Sequence, residues 1–352
     1  MNPIIEEDVK NMLSADFIDF SRFRGKTILV TGAYGMLASY LIYPLISLNE
    51  SDPDFRCRIL AVGRSKDRMK KRFPEAEGKP YFKPIYTDVC DIRTIDGEVD
   101  FIVHTASPTN PKMYLKNPVA VMKPNATGTL NLLDVAREKK SEGFLFISSG
   151  EVYGQLKKDV ILESDKGFLD CTAPRSCYAE SKRAGEELCT GYVEDYQVHA
   201  RIVRPSHTYG PTMSLKTDGR VFADFVSDAV QGKDIAVKSD GKATRAFIYL
   251  ADAALGCFKV LLDGRDGEAY NVTNNDAICS IGDLAQKIAS LSPKKGCKAV
   301  FTEPDKGYAE NENRIASVRS TAKLESLGWK CSYTLEEGFE RTVRSFLPEQ
   351  RG

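Results

Sequence analysis

The sequence predicts a doubly wound α/β fold, and three observations carry that prediction. Short apolar runs alternate with helical patterns over residues 26–205. A glycine-rich turn, Thr31-Gly32-Ala33-Tyr34-Gly35, follows the first apolar run and opens a helical stretch. After Pro205 the segments shorten and turn pairs crowd in: Gly210-Pro211, Asp218-Gly219, Asp240-Gly241 and Asp263-Gly264. The alternation argues for a parallel sheet with helices on both faces. Right-handed crossovers then give a Rossmann-type doubly wound parallel sheet. The later segments read as a smaller, interleaved C-terminal substrate-binding lobe.

Taken in order, residues 4–20 place Ile5, Val9, Met12, Leu13 and Phe17 at helical spacing. This predicts an amphipathic helix docked on the main domain, within an N-terminal extension over 1–24. Gly25 hands over to a first strand at 26–31. Further strands are expected at 58–62, 101–104, 144–148 and 200–204, and helices over 125–139 and 177–196. The dinucleotide-binding domain is drawn at 25–205 with a return near 243–262, and the substrate lobe mainly at 206–352.

Composition excludes several classes of function. The 352 residues carry 49 basic and 49 acidic side chains, so the formal net charge is zero. No global pull toward nucleic acid or an anionic membrane follows from that balance. Nine cysteines without a CxxC pair, and three histidines, make a metal site an unexpected reading. The acidic start without an apolar run after it, and the lack of any stretch able to span a bilayer, predict a cytoplasmic protein.

The chemistry lies in three stretches. In Thr31–Ala38, glycines Gly32 and Gly35 let the backbone turn tightly and approach a pyrophosphate at the helix N-terminus, with Tyr34, Met36 and Leu37 beside it. Tyr178 and Lys182, in Tyr178-Ala179-Glu180-Ser181-Lys182, share one helix face. Free tyrosine has a pKa of about 10 and is a poor base near neutrality. A neighbouring ammonium and a nicotinamide cation lower it. Ser149, in Ser148-Ser149-Gly150-Glu151-Val152-Tyr153-Gly154, then holds a substrate alcohol while Tyr178 takes its proton and the hydride passes to the nicotinamide.

Other positions carry two readings each. The second strand ends Gly63-Arg64-Ser65 with no acid to hold a ribose diol. Arg64 either grips the 2′-phosphate of NADP or is a solvated or adenine-stacking residue. Asp88, followed by Val89, accepts from an adenine amino group or caps a strand-end turn. Thr105, Ala106 and Ser107 are small residues at a strand end where such sheets bind ligands, and His104 before them reads as structural. Asn125 supports the active-site water or backbone, or simply starts a helix.

On these motifs the chain resembles the extended short-chain dehydrogenase/reductases of the nucleotide-sugar epimerase/dehydratase group, over nearly all of 25–345. Pro174-Arg175-Ser176-Cys177-Tyr178, Thr208-Tyr209-Gly210-Pro211, Asp218-Gly219-Arg220-Val221 and Thr244-Arg245-Ala246-Phe247 are most similar to segments of UDP-glucuronate decarboxylases. The resemblance implies a catalytic set of Ser149, Glu151, Tyr178 and Lys182. It implies NAD as cofactor, with Ser148, Arg204, Pro205 and His207 joining the glycine-rich turn in holding it. It further implies substrate contacts from Ser107, Glu151, Arg175, His207, Arg220 and Arg245, and a homodimer through a four-helix bundle drawn from 113–139 and 177–196.

Two positions depart from the group. His207 stands where asparagine is usual, which adds a group able to titrate near neutral pH. Gly150 stands where 4,6-dehydratases carry aspartate, which weakens the dehydratase reading because loss of water needs an acid for the leaving hydroxyl. Oxidation at sugar carbon 4 followed by decarboxylation is therefore the expected reaction. Alternatives are a 4-epimerase, a 4-dehydrogenase, a 4,6-dehydratase, or a nucleotide-binding sensor without turnover.

Overall fold

The computed structural model describes residues 1–302 and 317–348, so parts of the expected lobe at 303–316 and 349–352 lie outside the described residues. Seven parallel strands form the central sheet, in the order Ala269–Val272, Ala200–Pro205, Gly143–Ile147, Phe101–His104, Thr27–Thr31, Arg58–Val62, Phe82–Ile85. The order reverses between Thr27–Thr31 and Phe101–His104, which opens a crevice at the carboxyl ends of those two strands. The inner strands are largely apolar and buried because both sheet faces are covered. One face packs Met36–Ser51 and Leu250–Asp263, and the other packs Thr129–Lys139 and Cys177–Tyr196. No described helix is long and apolar enough to cross a membrane.

The switch point is pinned by side chains. His104 Nδ1 lies 2.8 Å from Thr31 Oγ1, and its Nε2 lies 3.1 Å from the Pro124 carbonyl. A carbonyl only accepts, so Nε2 carries the proton and Nδ1 accepts from the threonine hydroxyl. Thr31 Oγ1 in turn accepts from the backbone N–H groups of Thr105 and Ala106, each at 3.2 Å. Burial pushes the His104 pKa down to about 3, consistent with a neutral structural ring.

The region after Pro205 is built differently. Thr244–Tyr249 lies between His207–Tyr209 and Ile278–Ser280 in a three-stranded sheet, so the return to the main sheet comes later than 243, through Leu250–Asp263 and Ala269–Val272. The N-terminal helix is shorter than its spacing predicts. It runs Pro3–Leu13, begins with Asn2 accepting from the Ile4 amide, and ends at Ser14. Phe17 packs against the core from outside the helix. Asp8 sits fully buried on the helix's inner face, where Tyr40 and Tyr249 hydroxyls each donate at 2.6 Å and Arg341 donates at 2.7 and 2.9 Å.

Candidate active site

The glycine-rich turn forms as expected, for visible steric reasons. Gly32 has φ +62°, and a Cβ there would meet Ala106 Cα and Thr105 Oγ1 at 3.0 Å. Gly35 donates to the Gly32 carbonyl at 2.7 Å and stands at the start of Met36–Ser51, with no side-chain cap on the free amides. Three buried hydroxyls around the strand ends, Ser107, Ser206 and Thr273, have no hydrogen-bond partner among the described residues. Uncapped amides, a side-chain-free turn and orphaned hydroxyls over the carboxyl edge of the sheet fit a dinucleotide. Tyr34 lies against Gly63, where a Cβ would stand 2.6 Å from its ring, and beneath the Arg68 guanidinium at 4.5 Å.

Tyr178 and Lys182 lie near the start of the helix Cys177–Tyr196. That helix sits close to the sheet because residue 185 is glycine: a Cβ there would be 2.3 Å from the Phe146 ring. Opposite it the chain widens into a π turn at Pro124–Gly128, where Pro124 lacks the N–H of the regular ladder. Asn125 in this turn donates to Ser181 Oγ and to the Val121 carbonyl, both at 3.0 Å, and its buried Oδ1 has no partner. The Tyr178 ring stacks on Tyr114 at 5.0 Å and 7°, and the Ser149 hydroxyl lies close enough to the phenol to lower its pKa.

The electrostatics of this pair differ from the expectation. Burial, with the Glu151 charge second, pushes the Tyr178 phenol up to about 12, against the Ser149 hydroxyl and the charges of Arg220 and Arg175. Lys182 does not offset this. Its Nζ donates to the Ile147 carbonyl at 2.6 Å and lies 5.8 Å from the Tyr178 ring centroid, and burial pushes its pKa down to about 7. In the free protein Tyr178 is therefore a proton-bearing donor; an added positive charge beside the ring is what shifts it toward the phenolate.

Glu151 faces Arg175 in a two-pronged contact at 3.1 and 3.4 Å, both side chains part-exposed, and the Arg175 guanidinium lies 4.8 Å over Tyr114. Tyr114 thus joins the acid–arginine pair to the Tyr178 phenol, a link the sequence reading missed. Ser149 also caps the turn Gly150–Tyr153 through the Glu151 amide.

Several residues expected to contact cofactor or substrate have partners within the protein. Arg204 is held by Glu186 at 2.6 and 2.9 Å and touches the Tyr153 hydroxyl, while Ser148 donates to the same Glu186 at 2.5 Å. Both side chains are committed to this internal network, and Pro205 ends the strand that carries Arg204. Arg220 is clamped by Asp218 at 2.5 and 2.7 Å and donates to the Thr208 carbonyl at 3.0 Å. Arg245 donates to the Thr244 carbonyl at 2.8 Å. Asp88 caps the Cys90 amide and meets Arg64 at 3.4 Å, while Val89 packs against Gly128. His207 lies between Phe222 and Phe247, and burial plus the charges of Arg319, Arg245 and Arg220 push it down to about 3. It is neutral at physiological pH, which corrects the expectation of a group titrating near neutrality.

Gly150 has a physical explanation in Arg319. A Cβ on Gly150 would stand 2.6 Å from the Arg319 Cζ, so the guanidinium occupies the volume a side chain would take.

A phenol and a lysine one helical turn apart, facing a glycine-rich turn across the switch point, belong to a nicotinamide-dependent enzyme of the extended short-chain dehydrogenase/reductase type. That class is what the fold and site define. The chain belongs to the NAD dependent epimerase/dehydratase family, whose model matches residues 28–273. It is 34% identical to UDP-glucuronic acid decarboxylase 5 of Arabidopsis thaliana, over 91% of this chain and 89% of that protein. It is 32% identical to UDP-glucuronic acid decarboxylase 1 of Xenopus tropicalis, over 92% of this chain and 73% of that protein. Among solved structures it resembles a dTDP-glucose 4,6-dehydratase of Streptomyces venezuelae with NAD and TYD bound (TM-score 0.76, 22% identity, 91% of this chain and 96% of that one). WbmF of Bordetella bronchiseptica in complex with NAD+ and UDP is similar (TM-score 0.73, 21% identity, 92% and 93%). At these identities the structural likeness shows the fold.

Proposed function

We propose that the protein converts a UDP-linked hexuronic acid to the corresponding UDP-pentose, with NAD as cofactor. One observation carries the choice of reaction. Glu151 is the only carboxylate in the stretch Ser148–Gly154, and the neighbouring position, where a dehydratase needs its second acid, is a glycine whose side-chain volume Arg319 fills. The identity to the two decarboxylases supports the same reading.

Bound NAD supplies hydride acceptance from sugar carbon 4 and its return. Ser149 holds the carbon 4 hydroxyl, and Tyr178 takes its proton. A ketone at carbon 4 makes the carboxylate on carbon 5 that of a β-keto acid, which loses carbon dioxide and leaves its electron pair as an enolate. Glu151, oriented by Arg175, serves proton transfer at carbon 5, and Tyr178 returns its proton to the carbon 4 oxygen. Gly32, Gly35 and the amides of Met36 and Leu37 would hold the pyrophosphate, with Ser107 and Ser206 hydroxyls at the nicotinamide end. Arg64, paired with Asp88, is read as an adenosine-side residue and not as a selector for NADP. All nine cysteines are free, which suits a reducing compartment such as the cytoplasm.

Glu151→Gln is expected to lose product formation by about 10²-fold or more while NAD binding is unchanged; chromatography of products and titration of NAD check the two halves. Full activity in that variant contradicts the assignment.

A homodimer is part of this reading. Leu115, Val119, Met122 and Leu130, on Pro111–Lys116, Pro118–Lys123 and Thr129–Lys139, are 68%, 59%, 40% and 40% exposed. Such a run of exposed apolar side chains on neighbouring helices suits burial against a second copy. Val119→Glu should shift sedimentation from dimer to monomer.

A further inference from the structure

Arg319 is part-exposed and makes no ion pair among the described residues, although the Glu151 charge acts on it from beyond salt-bridge distance. Its strand, Val318–Arg319, pairs with Val160–Ile161, and Asn275 Nδ2 donates to its carbonyl at 2.9 Å, so the backbone is fixed. Its guanidinium lies on Gly150: a Cβ there would be 2.6, 2.8 and 2.9 Å from Cζ and the two terminal nitrogens. Ser149 and Glu151 flank that glycine. Nε is buried and has no hydrogen-bond partner. Among the described residues no carboxylate lies within salt-bridge distance of Arg319. Three other arginines of the region differ: Arg175 has Glu151, Arg204 has Glu186, and Arg220 has Asp218. A charge partly withdrawn from water with no ion pair carries a desolvation cost, and a ligand of opposite sign relieves it.

We propose that Arg319 receives the carboxylate of the sugar, so that the site selects a nucleotide-linked uronic acid over the neutral hexose. The assignment rests on the decarboxylase reading. Location favours the carboxylate over the diphosphate, because the guanidinium sits one residue from Ser149, which holds the carbon 4 hydroxyl, and the carboxylate hangs from the next ring carbon. The planar fork suits a two-pronged carboxylate contact. Gly150 is what admits the fork; any side chain there displaces it. As carbon dioxide leaves, the electron pair moves from the carboxylate into the enolate. The Arg319 contact is therefore strongest before reaction, and its loss shows in substrate binding more than in turnover. Arg319 is a specificity-determining residue in this scheme.

The test is calorimetric binding of UDP-glucuronate, UDP-glucose and UDP to the NAD-loaded full chain in a Tyr178→Phe background that blocks turnover. With Arg319 present, UDP-glucuronate should bind about 10- to 100-fold more tightly than UDP-glucose. Arg319→Met should abolish that preference and leave UDP affinity unchanged. Gly150→Ala, which keeps the charge but moves it, should give the same loss. A preference that survives both variants overturns the role of Arg319 and leaves the decarboxylase reading standing. Equal weakening of UDP in Arg319→Met assigns the residue to the diphosphate and also overturns the proposal. No preference with Arg319 in place overturns both the proposal and the reading beneath it.

Discussion

Asp8 is a fully buried charge and Arg319 a part-exposed one whose Nε is buried, and the molecule treats them in opposite ways. Asp8 is surrounded by donors: Tyr40 and Tyr249 on one oxygen, Arg341 on the other. Its carboxyl pKa is nevertheless raised, because desolvation outweighs those donors. The cluster joins the N-terminal helix, the helix Met36–Ser51 and the C-terminal helix Leu335–Phe346, elements far apart in sequence. Arg319 instead keeps an Nε that has no hydrogen-bond partner among the described residues, beside Gly150. A satisfied buried charge ties a fold together, whereas an unsatisfied one marks where the fold awaits something else.

The two sites should respond oppositely to removal, and three measurements sharpen that contrast. Asp8→Ala removes the acceptor of two buried tyrosine hydroxyls and one of the two carboxylates on Arg341, which keeps Glu7 at 3.1 Å, so denaturant unfolding should show a loss of about 2–4 kcal/mol. Product formed per folded molecule should stay the same; a catalytic defect in folded protein breaks the comparison. Next in size is Lys182, whose folded pKa of about 7 lies well below an unfolded value of about 10.4. Between those values the unfolded chain binds more protons, so stability rises with pH by up to about 1.4 kcal/mol per unit from this site and falls again as pH drops toward 7. Lys182→Met should flatten that part of the profile, and an unchanged slope rules the residue out as its source. The smallest effect is expected at Arg319. Replacing a part-exposed guanidinium that makes no ion pair among the described residues by an apolar chain of similar reach should leave stability unchanged or raise it by about 1 kcal/mol. A large loss in Arg319→Met would show that its charge is satisfied after all.

How much of this was legible follows from the range of each interaction. The strands Arg58–Val62 and Phe101–His104 and the helix Cys177–Tyr196 fall where local pattern puts them. The edge strand Phe82–Ile85 escaped because Lys83 and Pro84 interrupt its apolar run, as edge positions allow. The first helix was drawn too long because Phe17 continues its spacing by coincidence. Asp8, between Ile5, Val9 and Met12 on the same helix face, was a visible signal of a buried acid that needed partners. Tyr178, Lys182 and Ser149 were readable from order along the chain. Their electrostatics were not, because burial decides them and spacing does not report it. Arg319 could not be found by pattern, since it meets Gly150 only through the tertiary fold. The missing side chain at Gly150 was the one local hint that something else fills that space.

The most direct test of the decarboxylase account is mass spectrometry of the product after incubating the NAD-loaded protein with UDP-glucuronate. The account predicts loss of carbon dioxide and a UDP-pentose product. Loss of water, or recovery of UDP-glucuronate with its mass unchanged, contradicts it.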